Sequence, residues 1–291
     1  MSKKVLITGA TGNIASLVIP LLIEKGIDVR AFVHNASKAE KLKAEGVEIV
    51  EGDFSSAEKL NEATKGVDVV LSITPPAADA FAQAAAITKA AKENGVKHLI
   101  RISAIGAAED APTDNGRIHH KTDEDIIASG IPYTILRPNF YMQNVFMSVP
   151  TILEQGNMYW GMGEGNLSMI DVRDVADACV SLIVNGGHEN KIYQPNGPAS
   201  INFTQIAKII SDGIGKPVNY VAVPSEAVGE AIKKAGMGDW FAGIMTDYSR
   251  AYSKGWGDLK NNDFETITGK KSRSFQQFFD EVMSYGFKQT V

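Results

Sequence analysis

From residue 4 to about residue 137 the chain alternates short apolar runs with longer stretches in which apolar residues recur every three or four positions. The runs are KVLIT, DVRAFVH, VEIVEGD, VDVVLSIT, KHLIRIS and PYTILRP. Apolar runs of this length, each separated from the next by a helical stretch, predict parallel strands joined by right-handed crossovers. The helical stretches also end as helices do, at EKG (Gly26), AEG (Gly46), KENG (Gly95) and IASG (Gly130). The expected architecture is α/β, a doubly wound parallel sheet. After about residue 150 the alternation weakens, and glycine-bearing loops (WGMGEG, PNGPA) separate shorter elements. That change predicts a main domain over 1–150, to which a strand and a helix return at about 167–195. It also predicts a smaller C-terminal α/β lobe over 151–291, with no linker that would let the lobe fold independently.

The first run leads into LITGATGNIASLVI at 6–19. Gly9, Gly12 and Ala15 give G-x-x-G-x-x-A between a strand and a helix, with Thr11, Asn13 and Ile14 completing the loop. Such a loop needs a sharp turn first, close approach of backbone to pyrophosphate second, and tight helix-to-strand packing third. The main domain is therefore expected to be a Rossmann-type NAD(P)-binding domain and the lobe to hold the substrate. At the end of the second strand, where an acid would bond the ribose hydroxyls, the chain carries His34, Asn35 and Lys38. Donors and positive charge there favour NADP(H) over NAD(H). Asp53 in EGDF is placed to accept from an adenine amino group, with Phe54 over the ring, or equally to cap the next helix. Ile73, Thr74 and Pro75 in SITPP pass backbone beside the cofactor.

Composition narrows the classes further. The 291 residues, 44% hydrophobic, suffice for one large core and an annex. Lys and Arg number 29 against 34 Asp and Glu, a net charge of -5 with no dense basic run, which argues against a nucleic-acid partner. MSKKVLITGATG has too few apolar residues for a signal peptide or a membrane span, so a cytoplasmic protein with no membrane partner is expected. Cys179, the single cysteine, excludes an intrachain disulfide and sits in VADACVSLIV as a core thiol on a helix face.

Taken together, TGATGNIA, EGDF, KHLIRISAIGA, HHKTDEDIIASGIPYTILRPNFYMQN, DVRDVADA and KPVNYVAVPSE resemble the NmrA-like branch of the atypical short-chain dehydrogenase/reductases. Within it they are most similar to NAD(P)H-dependent quinone, azo-dye and triphenylmethane-dye reductases. The resemblance implies an NADPH-dependent reductase of a planar conjugated acceptor, without metal or flavin, acting as a monomer or homodimer. It also implies Ser103, Pro138, Asn139 and Phe140 as cofactor contacts and Tyr141, Met142 and Asn144 as acceptor lining, with core packing an equal reading of Phe140 and Met142. The other reading it allows is a regulator that senses NADP(H) without turnover.

Ordinary members of that superfamily use Tyr-x-x-x-Lys as a proton shuttle. None of the eight tyrosines here has a lysine four residues on. In the expected helix stand His119 and Asp123, one turn apart on one face. The resembled dye and quinone reductases carry a His and an acid at this spacing, which implies a catalytic pair. Asp123 would orient the imidazole and raise its pKa, so that His119 donates to the reduced acceptor; alternatively, both merely line the pocket. A metal site built from His119, His120 and Asp123 lacks a further convergent ligand. Trp160, Met237, Trp240 and Phe241 offer flat apolar surface for a planar substrate, or simply core.

Overall fold

The structure, a computed structural model, describes residues 3–288. Parallel pairing unites β1 (Lys4–Ile7), β2 (Asp28–Val33), β3 (Glu48–Glu51), β4 (Val69–Ser72), β5 (His98–Ile102), β6 (Tyr133–Leu136) and β8 (Lys191–Tyr193) into one seven-stranded sheet of order β3-β2-β1-β4-β5-β6-β8. The six strands expected from the apolar runs are its first six. Chain order runs outward one way from β1 and the other way from β4, so the order reverses between these two strands. The crevice outside their carboxyl ends is where such sheets bind ligands.

The linking helices include α1 (Ala15–Glu24), α2 (Glu40–Ala44), α3 (Ala57–Thr64), α4 (Ala80–Glu93), α5 (Asp114–Ser129) and α7 (Val172–Asn185). Leu6, Phe32, Leu60, Val70, Ile87, Leu99 and Ile126 meet in one buried cluster of strand and helix side chains. Each of these large side chains contributes about 1.5–3 kcal/mol by leaving water, which is why the apolar runs tolerate so few polar residues. Arg30 is an exception whose two terminal nitrogens are both engaged. Its Nη1 donates to the carbonyls of Ala63 and Lys65 at 2.7 and 2.8 Å, closing the end of α3, while Nη2 pairs with Glu48 at 2.9 Å. Cys179 on α7 is buried as expected, and burial pushes its thiol up to about 12, which makes it unreactive.

The chain divides into two compact units. One contains the sheet and comprises the chain up to Glu109, Arg117–Arg137 and Val175–Tyr193. The other comprises Asp110–Gly116, Pro138–Asp174 and the chain from Gln194 onward. The crossing at Arg137 and Pro138 lies ahead of the residue-150 boundary that the hydrophobic pattern suggests. In the second unit β7 (Asn157–Trp160) and β9 (Asn219–Ala222) form a two-stranded parallel sheet, accompanied by α6 (Val149–Gln155), α8 (Phe203–Ile214), α9 (Ser225–Lys234) and α10 (Asp239–Tyr252). Among the described residues no helix is long and apolar enough to cross a membrane.

Candidate functional site

At the reversal point the strand ends are latched together before any ligand is considered. Thr8, fully buried after β1, donates its hydroxyl to the Ile73 carbonyl and accepts from the Ile73 amide, both at 2.8 Å. The next residue, Gly9, has φ +60°, and a Cβ there would stand 3.0 Å from the Ile73 carbonyl oxygen. Only glycine suits both conditions. The Gly12 amide turns back to the Gly9 carbonyl at 2.9 Å, and α1 then starts at Ala15 with no side chain capping it. Uncapped N–H groups at the positive end of a helix, reached by a glycine loop with room only for backbone, fit a pyrophosphate. Thr11 and Asn13 are exposed on this loop, while Ile14 is buried beneath it.

The adenosine edge is less uniformly basic than its sequence suggests. His34 is exposed and its Nδ1 stands 3.5 Å from Asp53 Oδ2. Asn35 caps the turn at Ala36–Ala39, its Oδ1 accepting from the Ser37 amide and hydroxyl at 2.8 and 2.6 Å, so its NH2 group is the part left to face a ligand. Lys38 is exposed beyond it. Asp53 does not cap α3; Ser56 does, because Asp53 Oδ1 accepts from the Ser55 amide at 2.8 Å and that bond holds its carboxyl below the usual range. Phe54 is half-buried, edge-on to Phe32 with ring centres 5.4 Å apart. Glu51, absent from the expected site residues, accepts from the Ala36 amide at 3.1 Å.

The expected coupling of His119 to Asp123 is not what the structure holds. Asp123 is fully buried, and its Oδ2 accepts from Ser103 Oγ and from Arg137 Nε, each at 2.9 Å. Its carboxylate is thus engaged by the ends of β5 and β6. The buried Nδ1 of His119 has no partner, and desolvation, aided by the nearby Arg101 and Arg137 charges, pushes the imidazole down to about 3. The acid does not raise this histidine; two arginines and burial keep it neutral. Arg101 is the charge that sequence reading missed. It lies buried in β5, its guanidinium donating to Thr74 Oγ1 at 2.9 Å, and the signal available was one arginine inside the apolar run HLIRI.

In the second unit Asn139 is buried, donating to the Gly257 carbonyl at 2.9 Å and accepting from the Phe140 amide at 2.7 Å. Phe140 packs edge-on against Trp160 and Tyr252, with centres 5.9 and 5.5 Å away, and Trp160 Nε1 donates to Ser148 Oγ at 2.7 Å. Phe140, Met142 and Trp160 are at most 5% exposed. These three pack into core, one of the two readings the sequence leaves open for them. Pro138 is buried with them, whereas Tyr141, Asn144, Trp240 and Phe241 are half-buried and Met237 is exposed. The indole nitrogen of Trp240 is buried without a partner.

The switch point, the glycine turn and the uncapped helix define a dinucleotide-binding α/β protein of the Rossmann class. The chain belongs to the NmrA-like family, which matches residues 1–254. It is 36% identical over 277 residues to the NAD(P)H azoreductase of Xenophilus azovorans, an alignment spanning 94% of this chain and 96% of that protein. Among solved structures it is similar to the NADPH-dependent quinone oxidoreductase of Escherichia coli complexed with NADPH, with a TM-score of 0.89, 28% identity, and 96% and 99% of the two chains covered. It is likewise similar to the triphenylmethane reductase of Citrobacter sp., with a TM-score of 0.85, 29% identity, and 96% and 99% covered.

Proposed function

We propose that this chain is an NADPH-dependent reductase that transfers hydride to a planar conjugated acceptor of the quinone, azo or triphenylmethane-dye type. The coarser statement, an NAD(P)H-dependent oxidoreductase, has the support of the azoreductase relative and of the NADPH-complexed quinone oxidoreductase neighbour. One observation carries the finer reading. Where a carbonyl reductase of this superfamily keeps its tyrosine and lysine, this chain keeps a neutral His119 and an Asp123 engaged by Ser103 and Arg137. Burial raises the Asp123 carboxyl, but its Oδ2 is taken up by Ser103 and Arg137, and the imidazole, held down, has no ionisable proton to give. Acceptors that take hydride directly and collect their proton from water are the ones such a site serves.

The bound dinucleotide supplies the hydride. The Gly9 turn and the N-terminus of α1 hold its pyrophosphate, while His34, the Asn35 NH2 group and Lys38 attend the adenosine end. His119 contributes an N–H donor to the reduced acceptor without giving up a proton. Of the residues expected to line the acceptor, Tyr141, Asn144 and Trp240 retain surface for that role. Purified protein is expected to oxidise NADPH in the presence of quinones, azo dyes and triphenylmethane dyes. His119→Ala should slow turnover by about tenfold, the loss of one neutral hydrogen bond. A wild-type enzyme that binds NADPH but oxidises none with any acceptor of the panel would sink the reductase reading and favour the NADP(H)-sensing alternative.

A further inference from the structure

The acid absent from the end of β2 is supplied by the neighbouring strand. Glu51 closes β3 directly opposite Val33, the last residue of β2, and its Oε1 accepts from the Ala36 amide at 3.1 Å. That amide opens the turn carrying Asn35, Ser37 and Lys38, so the carboxylate lies among the groups expected to receive the ribose of the adenosine half. Its backbone is held in place. A Cβ at the following Gly52 would meet Lys59 Cβ at 2.7 Å and the Phe32 ring at 2.9 Å, so the β3 end is pressed onto β2 and α3. Lys59 does not cancel the Glu51 charge alone, because its ammonium is bound to Glu62 at 2.7 Å. Asp53, two residues on and exposed, adds a second carboxylate beside His34.

We infer that Glu51 is a cofactor-specificity residue, whose carboxylate accepts from the ribose 2′-hydroxyl of NADH and disfavours the 2′-phosphate of NADPH. This rests on the dinucleotide reading proposed above and deepens it: His34 and Lys38 draw the phosphate, and Glu51 opposes it. A 2′-phosphate approaching the Ala36 amide must displace an anion already bound there, whereas a hydroxyl arrives as a donor to that anion. Like charges at such separations at a protein surface repel by an amount that salt reduces.

The test is calorimetric titration of NADPH and NADH into wild type and Glu51→Gln, with folding of both verified by circular dichroism. Glu51→Gln is expected to raise the NADPH-to-NADH affinity ratio by about tenfold, with the gain shrinking as salt is raised. A ratio unchanged within about twofold, with both dinucleotides binding wild type, overturns the assignment of Glu51 and leaves the dinucleotide site standing. Wild type that binds neither dinucleotide overturns the site and this inference with it.

Discussion

His119 shows how one buried nitrogen can fix the chemistry of a face. Its imidazole is held down to about 3 by desolvation and by the Arg101 and Arg137 charges, so it is neutral at every pH at which the enzyme would be assayed. Between about pH 5 and pH 8 the turnover profile of wild type and of His119→Gln should therefore have the same shape, differing in height only. Stability carries the opposite signature. In the unfolded chain this histidine takes up a proton below about pH 6.5, and in the folded chain it does not, so folding weakens as pH falls. The slope is at most about 1.4 kcal/mol per pH unit and smaller for a ring that keeps some contact with water. Denaturant titrations at about pH 7, 6 and 5 should show this slope reduced in His119→Gln. None of this was readable from H-x-x-x-D. The spacing places two residues on one face, but the partners of Asp123 come from Ser103 and Arg137, on other elements.

At the level of elements, legibility followed burial. β1, β4, β5 and β6 are almost wholly buried, so they read as apolar runs that few polar residues interrupt. The edge strands β3 and β8 are more exposed, and β8 could be anticipated only as a strand returning within about 167–195. β7 and β9 are short, half-exposed strands past residue 150, where runs such as YVAV no longer alternate regularly with helices, and the pattern did not announce them. Nor does pattern expose a local cost. α1 continues through Pro20, whose ring removes the N–H that would bond the Ser16 carbonyl. The proline side chain is exposed, so it offers no packing in return. Pro20→Ala is expected to stabilise the protein by about 1 kcal/mol or more in denaturant unfolding. A destabilised variant would mean that the bend itself positions the loop ahead of α1.

The whole molecule is built from interleaved segments, and its sheet is closed late in the chain. β8 covers β6 in the register Thr134 to Lys191, Ile135 to Ile192 and Leu136 to Tyr193, and α7 contributes Cys179, Leu182 and Ile183 to the buried interior. A fragment ending at residue 137 keeps the phosphate loop and six of the seven strands, yet it bares β6 as an apolar edge. It is expected to lack a cooperative unfolding transition and to aggregate, whereas the full chain unfolds cooperatively; a soluble fragment with a sharp thermal transition contradicts this.

That interleaving has a consequence in time. A ribosome delivers the Gly9 turn almost at once, but the strand that seals the far edge of the sheet follows β6 by more than fifty residues. At about 5–20 residues per second, the unsealed edge waits roughly 3–11 seconds in a nascent chain. Holding chaperones would have their longest opportunity in that interval, with the nucleotide loop already made and the sheet it depends on still open.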